Sequence, residues 1–267
     1  MMKNVLLFVH QDEGQEARLQ AALDATRALK GHLTCIDVTP ITVVAGDDGG
    51  QAQALLLVEE HKLETANRVA LTARLTQEGL PWDWIESTGD VASCVLDAAG
   101  LADLIVINCK RDTFMQIEPR AIASSTVMGA RCPVLAVPDA ARGFDAGGHA
   151  VVAWDGSASA MGALRAATPL LRLAGSVTIF NADDGGKGAP EEAAAAYLSR
   201  HGVHASIERT SAHGQRADAA ILKACADQHA SYCVMGAYGQ GRLREDLFGG
   251  VTRGMLSAAR LPLVLGR

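Results

Sequence analysis

Apolar residues run without alternation at Val5–Val9, as expected of a strand buried on both faces. Gln15–Lys30 follows, with apolar positions at Ala17, Leu19, Ala22, Leu23, Ala28 and Leu29. That spacing predicts a helix, and Gly31 predicts its end. Leu33–Val38 reads as the next strand. Thr39–Gly50, with Pro40, Gly46, Asp47, Asp48, Gly49 and Gly50, reads as a loop. A long amphipathic helix is predicted over Gln51–Gln77, stopped at Gly79. Then come a strand at Trp82–Ser87, a short helix at Val91–Gly100 and a strand at Leu104–Asn108. Beyond Pro119, a helix at Ala121–Ala130 and a strand at Pro133–Val137 close the series.

The pattern breaks at Asp139–His149, a linker by composition, and then begins again. Strands are predicted at Ala150–Trp154, Ser176–Ala182, Val203–Glu208, Tyr232–Met235 and Pro262–Leu265. Helices are predicted at Ala158–Ala174, Pro190–His201, Arg216–His229 and Val251–Ala259. Gly175 is read as a helix stop. Pro190 is read as a helix start, where a missing N–H costs nothing. Local echoes mark an internal repeat: Ala22–Thr26 with Ala163–Thr168, Leu75–Leu80 with Leu198–Val203, and Ala130–Val137 with Ala259–Leu265. Strand–helix alternation of this kind gives an α/β fold of two tandem, doubly wound, parallel five-stranded sheets. We place the units at residues 1–140 and 148–267. In such sheets ligands bind beyond the carboxyl ends of the strands, at the topological switch point. The loops after the first, second and fourth strands of each unit are therefore where chemistry is expected.

Composition narrows the classes. The chain has 267 residues, 49% of them hydrophobic and only 4% aromatic, which suits helices packed closely on strands. No apolar run approaches the length of a membrane span. The first apolar stretch is too short for a signal-peptide core, so a cytoplasmic protein is expected. Six cysteines (Cys35, Cys94, Cys109, Cys132, Cys225 and Cys233) form no Cys-x-x-Cys pair and read as small buried hydrophobes. Residues 1–143 carry 12 Lys+Arg and 19 Asp+Glu, a charge of −7. The remainder carries 12 and 11, a charge of +1. An acidic front and a neutral back argue against nucleic acid as a partner.

The loop after the fourth strand of the second unit is the most informative stretch. It has glycines at 236, 239, 241, 249 and 250, with Arg242, Arg244 and Arg253 nearby, and Gly249–Thr252 opens a helix. Glycines admit close approach of a ligand, and the free N–H groups of a helix start hold phosphate oxygens. A Walker A loop does not fit, because Gly186-Lys187 is followed by Gly188. A dinucleotide fingerprint does not fit either, because Arg244 stands where its third glycine belongs. His201 and His204 are separated by Gly202 and lack a third ligand, so no metal site is expected. Ser157 has no His/Asp partner in a nucleophile setting and reads as a helix cap.

On these residues the chain resembles the universal stress protein family over nearly its whole length. The family's ATP-binding loop is Gly-x2-Gly-x9-Gly-Ser/Thr. Here it reads Gly236-x2-Gly239-x9-Gly249, with Gly250 in place of the hydroxyl residue and Thr252 as a substitute two residues on. The family's first-strand Asp is matched by Asp155, beside Trp154. The residue against the adenine is matched by Ala182, and the residue leading into the loop by Met235. With Gly241, Arg242 and Val251, these are the residues expected at the nucleotide. The first unit departs from the pattern. Its first strand ends in His10-Gln11, and its counterpart loop, Asn108–Arg111 through Arg120-Ala121, has no signature glycine and carries Asp112 and Glu118.

The resemblance implies an adenine nucleotide α-hydrolase-like fold whose last strands pair between units to form an internal pseudo-dimer. It implies ATP or another adenine nucleotide, with or without Mg, bound in the second unit beside a degenerate first unit. Association into a homodimer is compatible with this reading. No general base stands beside the expected phosphates, so at most slow hydrolysis is expected, and no partner membrane. The rival readings are a nucleotide-free interaction scaffold and an adenylating enzyme. The latter needs a substrate pocket and an acid or base that the sequence does not display.

Overall fold

The computed structural model describes residues 1–40, 50–109, 122–182, 188–210, 216–238 and 250–267, with side chains of the second helix from residue 62 onward. The first half runs β1 (Asn4–Val9), α1 (Gln15–Leu29), β2 (His32–Pro40), α2 (Gly50–Gln77), β3 (Trp82–Gly89), α3 (Val91–Ala98), β4 (Leu104–Asn108), α4 (Ile122–Gly129) and β5 (Val134–Val137). The second repeats the order with β6 (His149–Ala153), α5 (Ala158–Leu171), β7 (Ser176–Asn181), α6 (Glu191–Arg200), β8 (Ala205–Arg209), α7 (Ala217–Asp227), β9 (Tyr232–Gly236), α8 (Gly250–Ala258) and β10 (Leu263–Gly266).

All of these strands join one ten-stranded sheet, ordered β3-β2-β1-β4-β5-β10-β9-β6-β7-β8. Every neighbouring pair is parallel except β5 and β10, which run antiparallel with Val264 opposite Leu135. This is the pairing expected between the two last strands, and it makes the chain an internal pseudo-dimer. Each half is doubly wound. The winding reverses between β1 and β4, and again between β6 and β9. The central strands are buried but for the exposed Asn4 and the half-buried Gly236 at their ends, which accounts for their unbroken apolar runs.

Two hydrophobic layers flank the sheet, and both run through both halves. On one face α1, α2, α5 and α6 pack around Leu23, Leu75, Leu164, Leu198 and Tyr232. On the other, α3, α4, α7 and α8 pack around Val95, Val127, Ile221 and Met255. The predicted linker is part of the first layer. Phe144 is buried, sits 5.1 Å from the Tyr232 ring and donates its amide to Asp24. Composition marked Asp139–His149 as a spacer, but burial of Phe144 and Ala146 makes it a packed strap, and His149 already belongs to β6.

Helix ends differ from expectation for local reasons. Gly31 does not cap α1. Lys30 takes the left-handed conformation (φ 49°), and the Gly31 amide reaches back to Thr26. Glycine is required at 31 because a Cβ there would lie 2.3 Å from the Lys3 carbonyl. Gly202 is the conventional case, with φ 77° and the Val203 amide bonded to Leu198. Predicted to reach Ala174, α5 ends at Leu171, where the chain tightens into three-residue turns that bond Leu173 to Leu170 and Ala174 to Leu171. Gly175 then donates to Gly147 and Gly148 rather than ending the helix.

Candidate functional site

The reversal between β6 and β9 brings together the carboxyl ends of β6, β7 and β9 and the amino end of α5. Trp154 follows β6 and is buried. Its indole N–H donates to the Ala189 carbonyl at 2.8 Å and its amide to Phe180. It therefore ties the return of the chain into α6 against β6. Asp155 is exposed, and one carboxylate oxygen accepts the Ser157 amide at 2.9 Å. Gly156 turns the chain with φ 69°, where a Cβ would lie 2.4 Å from Ala189 backbone atoms. Ser157 caps α5, its hydroxyl accepting from the Ala160 amide, as expected. Ala182 leaves β7 with little exposure, and Met235 is buried at the end of β9.

Gly236 has a packing reason for its identity. A Cβ there would stand 2.6 Å from the Ala160 nitrogen and 2.7 Å from the Ser159 carbonyl carbon. The first turn of α5 lies directly on it, so its missing side chain brings helix and strand together. Gly250 is the reverse case. It is exposed, it opens α8, and no described atom lies within 4 Å of where its Cβ would be. Val251 is half-buried, and Thr252 is buried in the same first turn. The N–H groups of that turn have no partner within the helix, and its dipole end is positive. Gly239, Gly241, Arg242, Arg244 and Gly249 lie outside the described residues, as do Asp183–Lys187 of the loop after β7.

At the matching place in the first half the space is filled. The Arg18 side chain, fully buried, points from α1 into the end of β1. Its guanidinium donates to the carbonyls of Phe8 (2.7 Å) and His10 (2.9 Å) and to both oxygens of Asp12 (3.2 and 3.1 Å). Burial lowers the pKa of His10 to about 4; Arg18 adds to that shift and Asp12 opposes it. Next to it, burial and the neighbouring Glu64 carboxylate raise Asp37 to about 6, against the pull of Arg68. Glu64 is itself buried and accepts a hydrogen bond from Thr39. Asn108 takes the place that Gly236 has in the other half and donates to Asp139 at 2.9 Å. Here the helix side yields instead, since a Cβ on Gly14 would lie 1.8 Å from the Asn108 side-chain nitrogen. Asp112 and Glu118 lie outside the described residues.

Three features escaped the sequence reading. Arg18 had a signal: it shares a helical stripe with Ala22, Ala25 and Leu29, where a charge must find partners. The Asp37–Glu64 pair had none, since the two carboxylates are brought together only when α2 packs on β2. Nor did the hydrogen bond from Tyr238, just past β9, to Ser124 of α4 at 2.6 Å. All six cysteines are free thiols. Burial raises Cys109 well above the usual thiol range, with Asp139 adding to it, which makes it a poor thiolate.

A sheet that reverses between its first and fourth strands, with a helix crossing on a strand glycine and a helix start at the reversal, defines a doubly wound α/β protein with a topological switch point. The family model of the universal stress protein family matches residues 1–138, half of the chain, and the chain belongs to that family. The fold is similar to that of a universal stress protein from Archaeoglobus fulgidus DSM 4304, at 18% identity and a TM-score of 0.73 over 99% of this chain and 98% of that one. It is also similar to a functionally unknown protein from Pseudomonas aeruginosa PAO1, at 16% identity and a TM-score of 0.57 over 99% and 92%. A third similar fold is a putative universal stress protein from Pseudomonas aeruginosa UCBPP-PA14, at 15% identity and a TM-score of 0.56 over the same shares. No curated protein matches the chain. Among the described residues no helix is long and apolar enough to cross a membrane.

Proposed function

We propose that the second half, residues 148–267, binds ATP or another adenine nucleotide, with or without Mg, and that residues 1–140 form its degenerate structural partner. Family membership supports a role in the stress response, and we place that role in the cytoplasm. The observation that carries the nucleotide reading is the exposed start of α8 at Gly250, which no described atom crowds, at the same end of the sheet as Asp155. Phosphate oxygens suit the unpaired N–H groups of that helix start. Asp155 keeps an exposed carboxylate for a ribose hydroxyl or a phosphate-bound cation. Trp154 and Ala182 wall the apolar side where a base would lie. The bound nucleotide supplies polyphosphate charge to be read by the loop and does not need to be cleaved. We take the role to be regulatory rather than catalytic.

Equilibrium binding of labelled ATP tests this reading. Saturable binding is expected, and Gly239→Val should abolish it. No saturable binding to the purified wild-type protein would sink the proposal. A second reading, a nucleotide-free interaction scaffold, draws on Gly250, which offers no hydroxyl at the helix start. Nucleotide retained through purification would count against that alternative.

A further inference from the structure

Tyr238 lies just past β9, and two things set it apart. Its backbone is left-handed, with φ 51°, a conformation that costs a non-glycine residue about 1–2 kcal/mol. Its side chain leaves its own half. The phenol donates to the hydroxyl of Ser124, on α4 of the first half, at 2.6 Å. Arg253, in the first turn of α8, is close enough for its charge to act on the same phenol. Counting back from the matched Ala130 and Ala259, Ser124 and Arg253 hold the same position on α4 and α8. Tyr238 therefore stands between a residue of α4 and one of α8 at matching positions, at the point where the chain leaves β9.

We propose that Tyr238 is a positioning residue through which the first half supports the nucleotide site of the second; this rests on the nucleotide reading above. The hydroxyl-to-hydroxyl bond holds Tyr238 in an otherwise unfavourable backbone conformation. It thereby fixes the direction in which the chain departs from Gly236. The first half, closed to a nucleotide of its own, supplies α4 as the anchor. Nucleotide affinity should then depend on a residue of α4 that is not itself expected to touch the ligand.

The test measures ATP affinity and thermal unfolding for wild type, Tyr238→Phe, Ser124→Ala, the double variant and Ser124→Thr. Tyr238→Phe keeps the ring and removes only the donor. Each single loss should weaken ATP binding by roughly three- to tenfold, the range of one net hydrogen bond. The double variant should be no weaker than either single one, and Ser124→Thr should bind like wild type. The midpoint of unfolding should move little. Carbon-13 labelling of the tyrosine ring gives a readout independent of nucleotide: the Tyr238 signal should shift in Ser124→Ala and return in Ser124→Thr. Wild-type affinity in both single variants would overturn this inference and leave the nucleotide reading standing, and so would additive losses. Absence of binding in the wild type would overturn both.

Discussion

Thr26 on α1 and Thr168 on α5 each hydrogen bond to the carbonyl four residues back, and eight residues before each stands Arg18 or Ala160. The same position of the same helix thus carries a guanidinium in one half and a methyl group in the other. In the first half the guanidinium closes the carboxyl end of β1 with Asp12 and two backbone carbonyls. In the second, Ala160 lets the first turn of α5 sit against Gly236, and no side chain of that helix position reaches across the ends of β6 and β9. The first half therefore differs from the second in what fills this position, not only in lacking the glycines. The charge asymmetry points the same way, since the carboxylates Asp37 and Glu64 stand near the end of β2 where a polyphosphate would be repelled.

The largest effect should come from breaking the plug. Arg18→Ala empties a buried site and takes a donor from the Phe8 and His10 carbonyls, while the half-buried Asp12 keeps the Gly14 amide, and should cost about 2–4 kcal/mol in urea unfolding. Ala160→Gly at the matching position should cost only about 1 kcal/mol. Equal losses would show that the two positions are not different in kind.

His10 should make stability fall in acid. With a folded pKa of about 4 against an ordinary 6.5, the unfolded chain takes up a proton between those values that the folded chain refuses. The stabilisation is complete above pH 6.5 and is lost as the pH falls toward 4, by about 2–3 kcal/mol. His10→Gln should flatten that slope between urea titrations at pH 7 and 4.5. Asp37 works in the opposite direction. Its folded pKa of about 6 exceeds the ordinary 3.8, so its carboxyl form is the favourable one and stability declines as the pH rises from about 4 to 6. Because the group is partly solvated and screened, Asp37→Asn should gain only about 1 kcal/mol at pH 7.

The two glycines at the ends of the signature divide similarly. Gly236→Ala forces β9 off α5 and should cost about 1–3 kcal/mol. Gly250→Ser meets no described atom. It should leave the fold unchanged or slightly more stable and raise ATP affinity a few-fold by adding a hydroxyl at the helix start. Reduced affinity in Gly250→Ser would remove the start of α8 from the binding site.

Much of this organisation was legible along the chain. Unbroken apolar runs marked β1, β4 and β9, the echo of Ala130–Val137 in Ala259–Leu265 marked the repeat, and the glycine spacing singled out the loop after β9. Helix ends were less so, because Lys30 and His229 take left-handed conformations that sequence reserves for glycine. The site was legible only in part. Trp154, Asp155, Ala182 and Met235 do lie at one end of the sheet, around the switch point. The reason for Gly236, however, is a helix crossing that no spacing encodes.

Hydrophobic period and turn chemistry are local, so the sequence alone determined the elements, their order and the two-fold repetition. Residues far apart in the chain meet only through packing. Tertiary structure therefore decided that Arg18 closes over the end of β1, that Phe144 turns a spacer into core, and that Tyr238 of one half rests on Ser124 of the other.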